Sequence, residues 1–425
     1  MRACICFIFV LACLGRWKTE DESYQENLPA KERVFVASKI YSLLQSGFFC
    51  AKIATSQELD QPYKNYLRKV LDTDDRRKFD LATIEFVAQL HSGHTFFWDT
   101  WLNESNGRPI GFYALPFDGK WAIQSSALED LKPGDVISKI DDTAIEPFFL
   151  QRQRYISASS RAAQRRNLFL LPYLFPERFT LTLDDGKQIA VDRLKVSKPP
   201  QKVEGRWLNP DRIAYVRIPS FLDPMFEGFA LNYVRQFRHA GVLIVDVRNN
   251  SGGIPPKQLI RAVMDRPYRG WLQITRSADP TCTQNRPEIG QEPSADSQDV
   301  PTLTRLAQSN KPIAPSQNAF HGRLILLVDG GCVSACEDFV EPSKDSGRAI
   351  IVGDTTQGSA GVPLFYDFHN GMTLRIADKR SYLPDGSEFE GVGIKPDVEV
   401  HTTIDDLKNG RDPVLEKALE IANKP

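Results

Sequence analysis

Apolar positions recur at helical spacing through residues 28–91. Val34, Ile40, Tyr41, Leu43 and Leu44 form one run, Tyr63, Tyr66, Leu67, Val70 and Leu71 a second, and Phe79, Ile84, Phe86, Val87 and Leu90 a third. Asp72-Thr73-Asp74-Asp75 supplies N-cap candidates for the last of these. The spacing predicts a small helical bundle within residues 16–103, ending in LHSGHTFFW. From 104 to 200 the pattern becomes short β-type segments, IGFYALPF, KWAIQSSA, GDVISKIDD, RFTLTLDDG and KQIAVDRL, parted by Gly, Pro and Asp turns. Lys198-Pro199-Pro200 reads as a linker. Over 201–425 the strands RIAYVRI, GVLIVDV, RLILLVD and RAIIVGD alternate with helices near KQLIRAVMD and from about Ala335, the pattern of an α/β domain. Residues 277–318, rich in Pro, Ser, Gln and Asp, read as a long surface insertion. The fold class expected is multidomain α/β.

The ends and the charge narrow the setting. Residues 1–15, MRACICFIFVLACLG, carry one Arg before an apolar stretch too short to span a bilayer, which reads as a secretory signal. Val10-Leu11-Ala12-Cys13 also fits a lipobox, so plain export and lipid attachment at Cys13 both stand, with a cell-envelope or periplasmic location in either case. Lys+Arg 53 against Asp+Glu 54 leaves a net charge of −1, which excludes a protein held to nucleic acid by counterion release. Outside the signal stretch the cysteines are Cys50, Cys282, Cys332 and Cys336, too few for a disulfide scaffold. Cys332 and Cys336 lack the further ligands of a zinc site and read as buried packing thiols. The segment QRQRYISASSRAAQRR holds Arg152, Arg154, Arg161, Arg165 and Arg166 with no acid, and reads as a solvated helix face rather than a docking site for acidic groups.

Chemistry concentrates in the α/β half. In RLILLVDGGCVSACEDFVEP an apolar strand runs into Gly330-Gly331, and a helix begins near Ser334. A serine at such a turn projects its hydroxyl beside free helix amides that favour an oxyanion. Alone, it reads more simply as an N-cap. In GVLIVDVRNNSGG a buried strand ends at Gly252-Gly253, which can present amides without side-chain obstruction; with the amide of Ala335 these would make an oxyanion hole. Neither GxGxxG nor GxxxxGK[ST] occurs, and there is no HExxH. Of the six histidines only His91 and His94 cluster locally, and spacing alone does not say which histidine meets Ser334.

Taken in order, LHSGHTFF, LKPGDVISKIDD, LIVDVRNNSGG, GGCVSACEDF, RAIIVGDTTQG and LPDGSEFEGVGIKPDVEV resemble the carboxyl-terminal processing peptidases and their tricorn-like relatives. LKPGDVISKIDDTAI itself resembles a PDZ domain. The resemblance implies a PDZ-like module over 104–200 and a ClpP/crotonase-like peptidase core over 201–425. It matches Ser334 to the nucleophile. The processing branch uses a lysine after the TxG turn, where this chain has Ser359. The tricorn-like branch uses a histidine, matched by His94, and a glutamate, matched by Glu390. The chain departs from that branch at Gly93, where the tricorn tetrad has serine, and at Ser92, where aspartate is usual.

The resemblance therefore implies an exported serine endopeptidase acting on unfolded or C-terminally presented polypeptides. Ser334, His94 and Glu390 would be its catalytic residues, with Glu390 acting directly or through a hydroxyl or water. Gly252, Gly253 and Ala335 would line the oxyanion hole, and Gly111-Phe112 would receive a peptide carboxylate at a sheet edge. No metal, organic cofactor or nucleic-acid partner is implied, and membrane contact only through Cys13. Alternatives are an inactive PDZ-type peptide-binding protein and a small-ester serine hydrolase.

Overall fold

The structure, a computed structural model, describes residues 26–48, 56–197, 200–276, 303–304 and 311–424. The signal stretch, Cys13, Cys50, Cys282, the linker residues Lys198-Pro199 and most of the 277–318 insertion lie outside the described residues. No described helix is long and apolar enough to cross a membrane.

The expected helical runs form α1 (Ala30–Gly47), α2 (Ser56–Leu71) and α3 (Arg76–Ala88). Val36, Ile40 and Leu44 pack with Tyr66, Val70, Phe79 and Phe86 in one apolar cluster. Asp75 caps α3, its carboxylate accepting the Lys78 amide at 2.7 Å, a contact worth ~1 kcal/mol. The chain then turns through His91–Thr95 into β1 (Phe96–Asp99) and α4 (Thr100–Asn106). Buried Arg76 grips Asp99 with two hydrogen bonds of 2.7 and 2.9 Å, fixing α3 against β1.

Six strands and two helices follow: β2 (Phe112–Phe117), β3 (Lys120–Ser126), β4 (Val136–Ile140), β5 (Thr143–Ala144), α5 (Ile145–Arg152), α6 (Arg161–Asn167), β6 (Arg178–Leu183) and β7 (Gln188–Asp192). They form an antiparallel sheet ordered β2-β3-β4-β6-β7, with β5 on β4. Strand β2 is an edge, and α6 packs beside it. The arginine segment is a solvated face only in part: Arg154 and Arg161 are exposed, but others are engaged. Arg165 pairs with Glu146 and stacks on Trp121, while Arg166 turns toward Asp329 of the α/β half.

The remaining elements are β8 (Glu204–Asn209), β9 (Ile213–Arg217), α7 (Pro224–Gln236), β10 (Val242–Asp246), α8 (Lys257–Val263), β11 (Leu272–Arg276), β12 (Leu303–Thr304), β13 (Arg323–Val328), α9 (Ala335–Asp345), β14 (Ala349–Gly353), β15 (Leu364–Asp367), β16 (Met372–Ile376), β17 (Lys379–Tyr382), β18 (Val398–Glu399), α10 (Ile404–Lys408) and α11 (Pro413–Asn423). The main sheet runs β18-β14-β13-β10-β9-β8, parallel except for β8. Its central strands are apolar except at their ends, Arg217, Asp246 and Arg323, because both faces are covered. Leu243, Val245, Leu324 and Leu326 face α7, α8 and α9, whereas Val242, Ile244, Ile325 and Leu327 face α11. Loops leaving the carboxyl ends of β10, β13 and β14 gather at one edge, the place where open α/β sheets hold ligands.

The hairpin β15–β16 leaves this domain and pairs with β1, Phe97 opposite Leu374, burying Met372, Leu374 and Ile376 in the N-terminal cluster. That exchange carries the His91–Thr95 turn to the edge of the parallel sheet. Cys332 and Cys336 are joined as a disulfide rather than standing as separate thiols, because the turn into α9 brings their Cα atoms to 5.3 Å.

Candidate active site

Ser334 ends the turn after β13 and holds φ 60°, ψ −121°, a conformation that non-glycine residues rarely adopt. Glu337 and Ser359 keep it there. The Ser334 amide donates to Glu337 Oε2 at 3.0 Å and lies 2.9 Å from the carbonyl of Ser359. The fully buried Glu337 carboxylate also accepts from Thr356 Oγ1 (2.6 Å), the Gly358 amide (2.7 Å) and the Ser359 amide (3.0 Å). Burial pushes its pKa up to about 7 against those four donors. One carboxylate thus fastens both the Ser334 turn and the 356–359 loop.

His94 reaches this turn from the N-terminal region. Its Nε2 lies 3.0 Å from Ser334 Oγ and its Nδ1 2.7 Å from Ser359 Oγ. With Nε2 accepting the Ser334 proton, Nδ1–H donates to Ser359. The imidazole is buried, and burial, followed by the charge of Arg375, pulls its pKa down to about 4, so it stands neutral and able to accept a proton at pH 7. Two contacts aim it: Thr95 Oγ1 accepts the Ala377 amide at 2.9 Å, and the Gly93 amide donates to Ser159 Oγ at 3.0 Å.

Glu390 does not touch the imidazole. It accepts from the amides of Ala360 and Ser381, and burial followed by the charge of Glu337 raises its pKa to about 8. The hydroxyl beside His94 is Ser359, which the sequence offered only as a replaced lysine. Glu337, legible as the glutamate of an S-x-x-E helix start, and Ser159 were not singled out as site residues.

Gly252 sits against Ser334 at φ +77°. A Cβ there would stand 2.8 Å from Ser334 Cβ and 3.0 Å from the Ala335 amide nitrogen. Its own N–H is bound to Asn250 Oδ1 at 2.9 Å. Gly253, at φ +136°, packs on the backbone of Phe221-Leu222. Asp329 ties the two loops together, accepting from Asn249 (2.8 Å) and Gly331 (2.9 Å). Gly111 and Phe112 lie far from this cluster in sequence. They open the edge strand β2, where the Gly111 carbonyl accepts from Ala127 and the Phe112 ring packs on Phe169. Among the described residues, Asp354, Glu399 and His401 bring ligand-type atoms within 4.8 Å of one another, on a solvent-facing side of β14 and β18 apart from Ser334.

A sequence model of peptidase family S41 matches residues 212–400. Over 92 residues the chain is 30% identical to a carboxy-terminal-processing protease of Bartonella bacilliformis, covering 22% of this chain and 21% of that one. Over 409 residues it is 27% identical to a probable CtpA-like serine protease of Staphylococcus aureus, covering 94% of this chain and 69% of that one. The match thus spans about a fifth of the first relative and about two thirds of the second. Mature CPAF complexed with lactacystin shares the fold, with TM-score 0.62 at 15% identity over 92% of this chain and 98% of that one. Residues 212–400, which carry Ser334, Glu337 and Ser359 at the carboxyl edge of their parallel sheet, are thus the part of the chain that is similar to peptidase family S41.

Proposed function

We propose that the chain is an exported serine endopeptidase that cleaves unfolded or C-terminally presented polypeptides. In this reading residues 104–200 are a PDZ-like module and residues 201–425 a ClpP/crotonase-like core. The observation that carries it is the 3.0 Å contact between His94 Nε2 and Ser334 Oγ, made across 240 positions of sequence. As Ser334 Oγ attacks a peptide carbonyl carbon, its proton passes to Nε2. The oxyanion then takes hydrogen bonds from Ala335 and Gly253, because the Gly252 amide is already held by Asn250. Nε2–H next protonates the leaving amine, and water, activated by the same nitrogen, releases the acyl group. Ser359 keeps the imidazole in the tautomer this sequence needs, and Glu390 acts at one remove by holding the backbone at Ala360. The polypeptide C-terminus would add to the free edge of β2, its carboxylate at Gly111-Phe112.

Fluorophosphonate labelling with mapping of the modified peptide tests the reading. Modification is expected at Ser334 and absent in Ser334→Ala and His94→Ala, with casein digested faster than short-chain esters. An unlabelled wild-type Ser334 would leave a peptide-binding protein, and ester turnover without casein cleavage would leave an esterase.

A further inference from the structure

One cavity beside the catalytic hydroxyls has no role in the mechanism above. It encloses about 350 Å³ and is lined by His91, Gln153, Ser159, Ser160, Arg161 and Gln164 together with Ala158. Among the described residues no carboxylate lines it. Arg161 makes no hydrogen bond or ion pair with a described residue; its charge only helps to lower the pKa of Glu146, whose oxygens are taken by Arg165. The side chains of Gln153 and His91 are likewise without hydrogen-bond partners among the described residues. The chamber is therefore rich in donors and carries an uncompensated cation. Its wall is shared with the active site: Ser159 Oγ accepts from Gly93 and lies 3.4 Å from the Ser359 oxygen that partners His94.

We propose that this cavity is a substrate subsite for a carboxylate, supplied by an Asp or Glu side chain or, in peptides whose C-terminus is not held at β2, by that free C-terminus. A guanidinium flanked by amide and hydroxyl donors matches a carboxylate, and it gains nothing from an apolar or cationic group. The inference rests on the peptidase reading and adds a side-chain preference to it.

The test uses alanine-rich fluorogenic decapeptides carrying Glu or Gln at successive positions, each with a free and an amidated C-terminus. Cleavage is followed with the wild-type chain, and binding by anisotropy with Ser334→Ala. At one register, Glu is expected to bind about tenfold tighter than Gln. If the terminus is the source, the free acid is expected to bind about tenfold tighter than the amide. Arg161→Glu should abolish the preference and favour a Lys peptide, and Arg161→Gln should abolish it without reversal. Equal binding of all peptides, or a preference that survives both Arg161 variants, would overturn the subsite. Cleavage without discrimination removes the subsite and keeps the peptidase. Discrimination in binding without cleavage keeps a carboxylate site and removes the peptidase.

Discussion

A Cβ placed on Gly93 would stand 2.8 Å from the hydroxyl of Ser359 and 3.2 Å from its Cβ. The serine missing before His94 and the serine standing at the lysine position are thus one feature: the hydroxyl facing Nδ1 comes from the 356–359 loop, and the residue before the histidine must be small to admit it. Ser359→Gly is expected to lower kcat about 10²- to 10³-fold by freeing the imidazole, less than loss of Ser334 itself. Gly93→Ser alone should be equally damaging through the clash. Combined, the two changes exchange the hydroxyl's origin, and peptide hydrolysis should return to within about tenfold of wild type. Additive losses in the double variant would show that Ser359 does more than partner Nδ1.

The pH profile follows from burial. A histidine whose pKa falls from 6.5 to about 4 should place the acid limb of kcat/KM near pH 4 rather than near 6.5. Replacing Arg375 by Met removes the second cause and should move that limb upward, burial holding it below 6.5. Between pH 4 and 6.5 the unfolded chain binds the proton that folded His94 refuses, so this group makes stability rise with pH over that window. Glu337 and Glu390 act oppositely. Their pKa values are raised from 4.5 to about 7 and about 8, so the folded state holds protons the unfolded state has lost, and stability falls as pH climbs through that range. Glu390→Gln should flatten the alkaline fall in denaturation midpoint while keeping kcat within about tenfold of wild type, since the imidazole's partner is Ser359. A drop comparable to Ser359→Gly would place Glu390 in direct control of His94.

Much of this was legible in the chain, for identifiable reasons. Strand β10 is buried at all five positions, so its first four residues, Val242 to Val245, form a continuous apolar run that ends at the ion-paired Asp246. The helices α1 and α2 bury a stripe and therefore show helical spacing, and α3, buried over most of its surface, is apolar on several sides. The turn ending at Ser334 announces itself through Gly330-Gly331 and the glutamate that follows. Hidden from the sequence was everything that depends on distant pairing. The Thr95–Ala377 contact links positions 282 apart and the His94–Ser359 contact positions 265 apart. The β15–β16 hairpin, with half-exposed residues on β15, carries no local mark that its partner is the short strand after His94. Arg166 looked like part of a solvated face because its acid, Asp329, lies in another module.

Gly252 gives a sharper test of the oxyanion geometry. A methyl group there would overlap the Val333 carbonyl oxygen and lie 3.0 Å from the Ala335 amide nitrogen, displacing the Ser334 turn, and at φ +77° it would also strain the backbone. Gly252→Ala is expected to reduce kcat about 10²- to 10³-fold, the cost of losing one oxyanion donor. KM should stay within a few-fold if the peptide is captured at β2, as proposed, rather than at the Gly252 turn. Full turnover in a folded Gly252→Ala variant would show that the oxyanion is bound elsewhere.

The disulfide between Cys332 and Cys336 encloses Val333, Ser334 and Ala335, so the nucleophile sits inside a five-residue ring. Closing so short a loop removes little unfolded-state entropy, about 2 kcal/mol on a chain-entropy account. Its larger effect is local. Ser334 holds a left-handed φ of 60°, and the ring opposes relaxation of that turn alongside Glu337. Replacing both cysteines by alanine should therefore lower the unfolding free energy by ~2 kcal/mol while depressing kcat more than it raises KM. Maleimide labelling in denaturant, read by mass, should modify Cys332 and Cys336 only after reduction. Labelling without reductant, together with unchanged kcat in the double variant, would show that Glu337 and the Ser359 carbonyl hold the nucleophile turn by themselves.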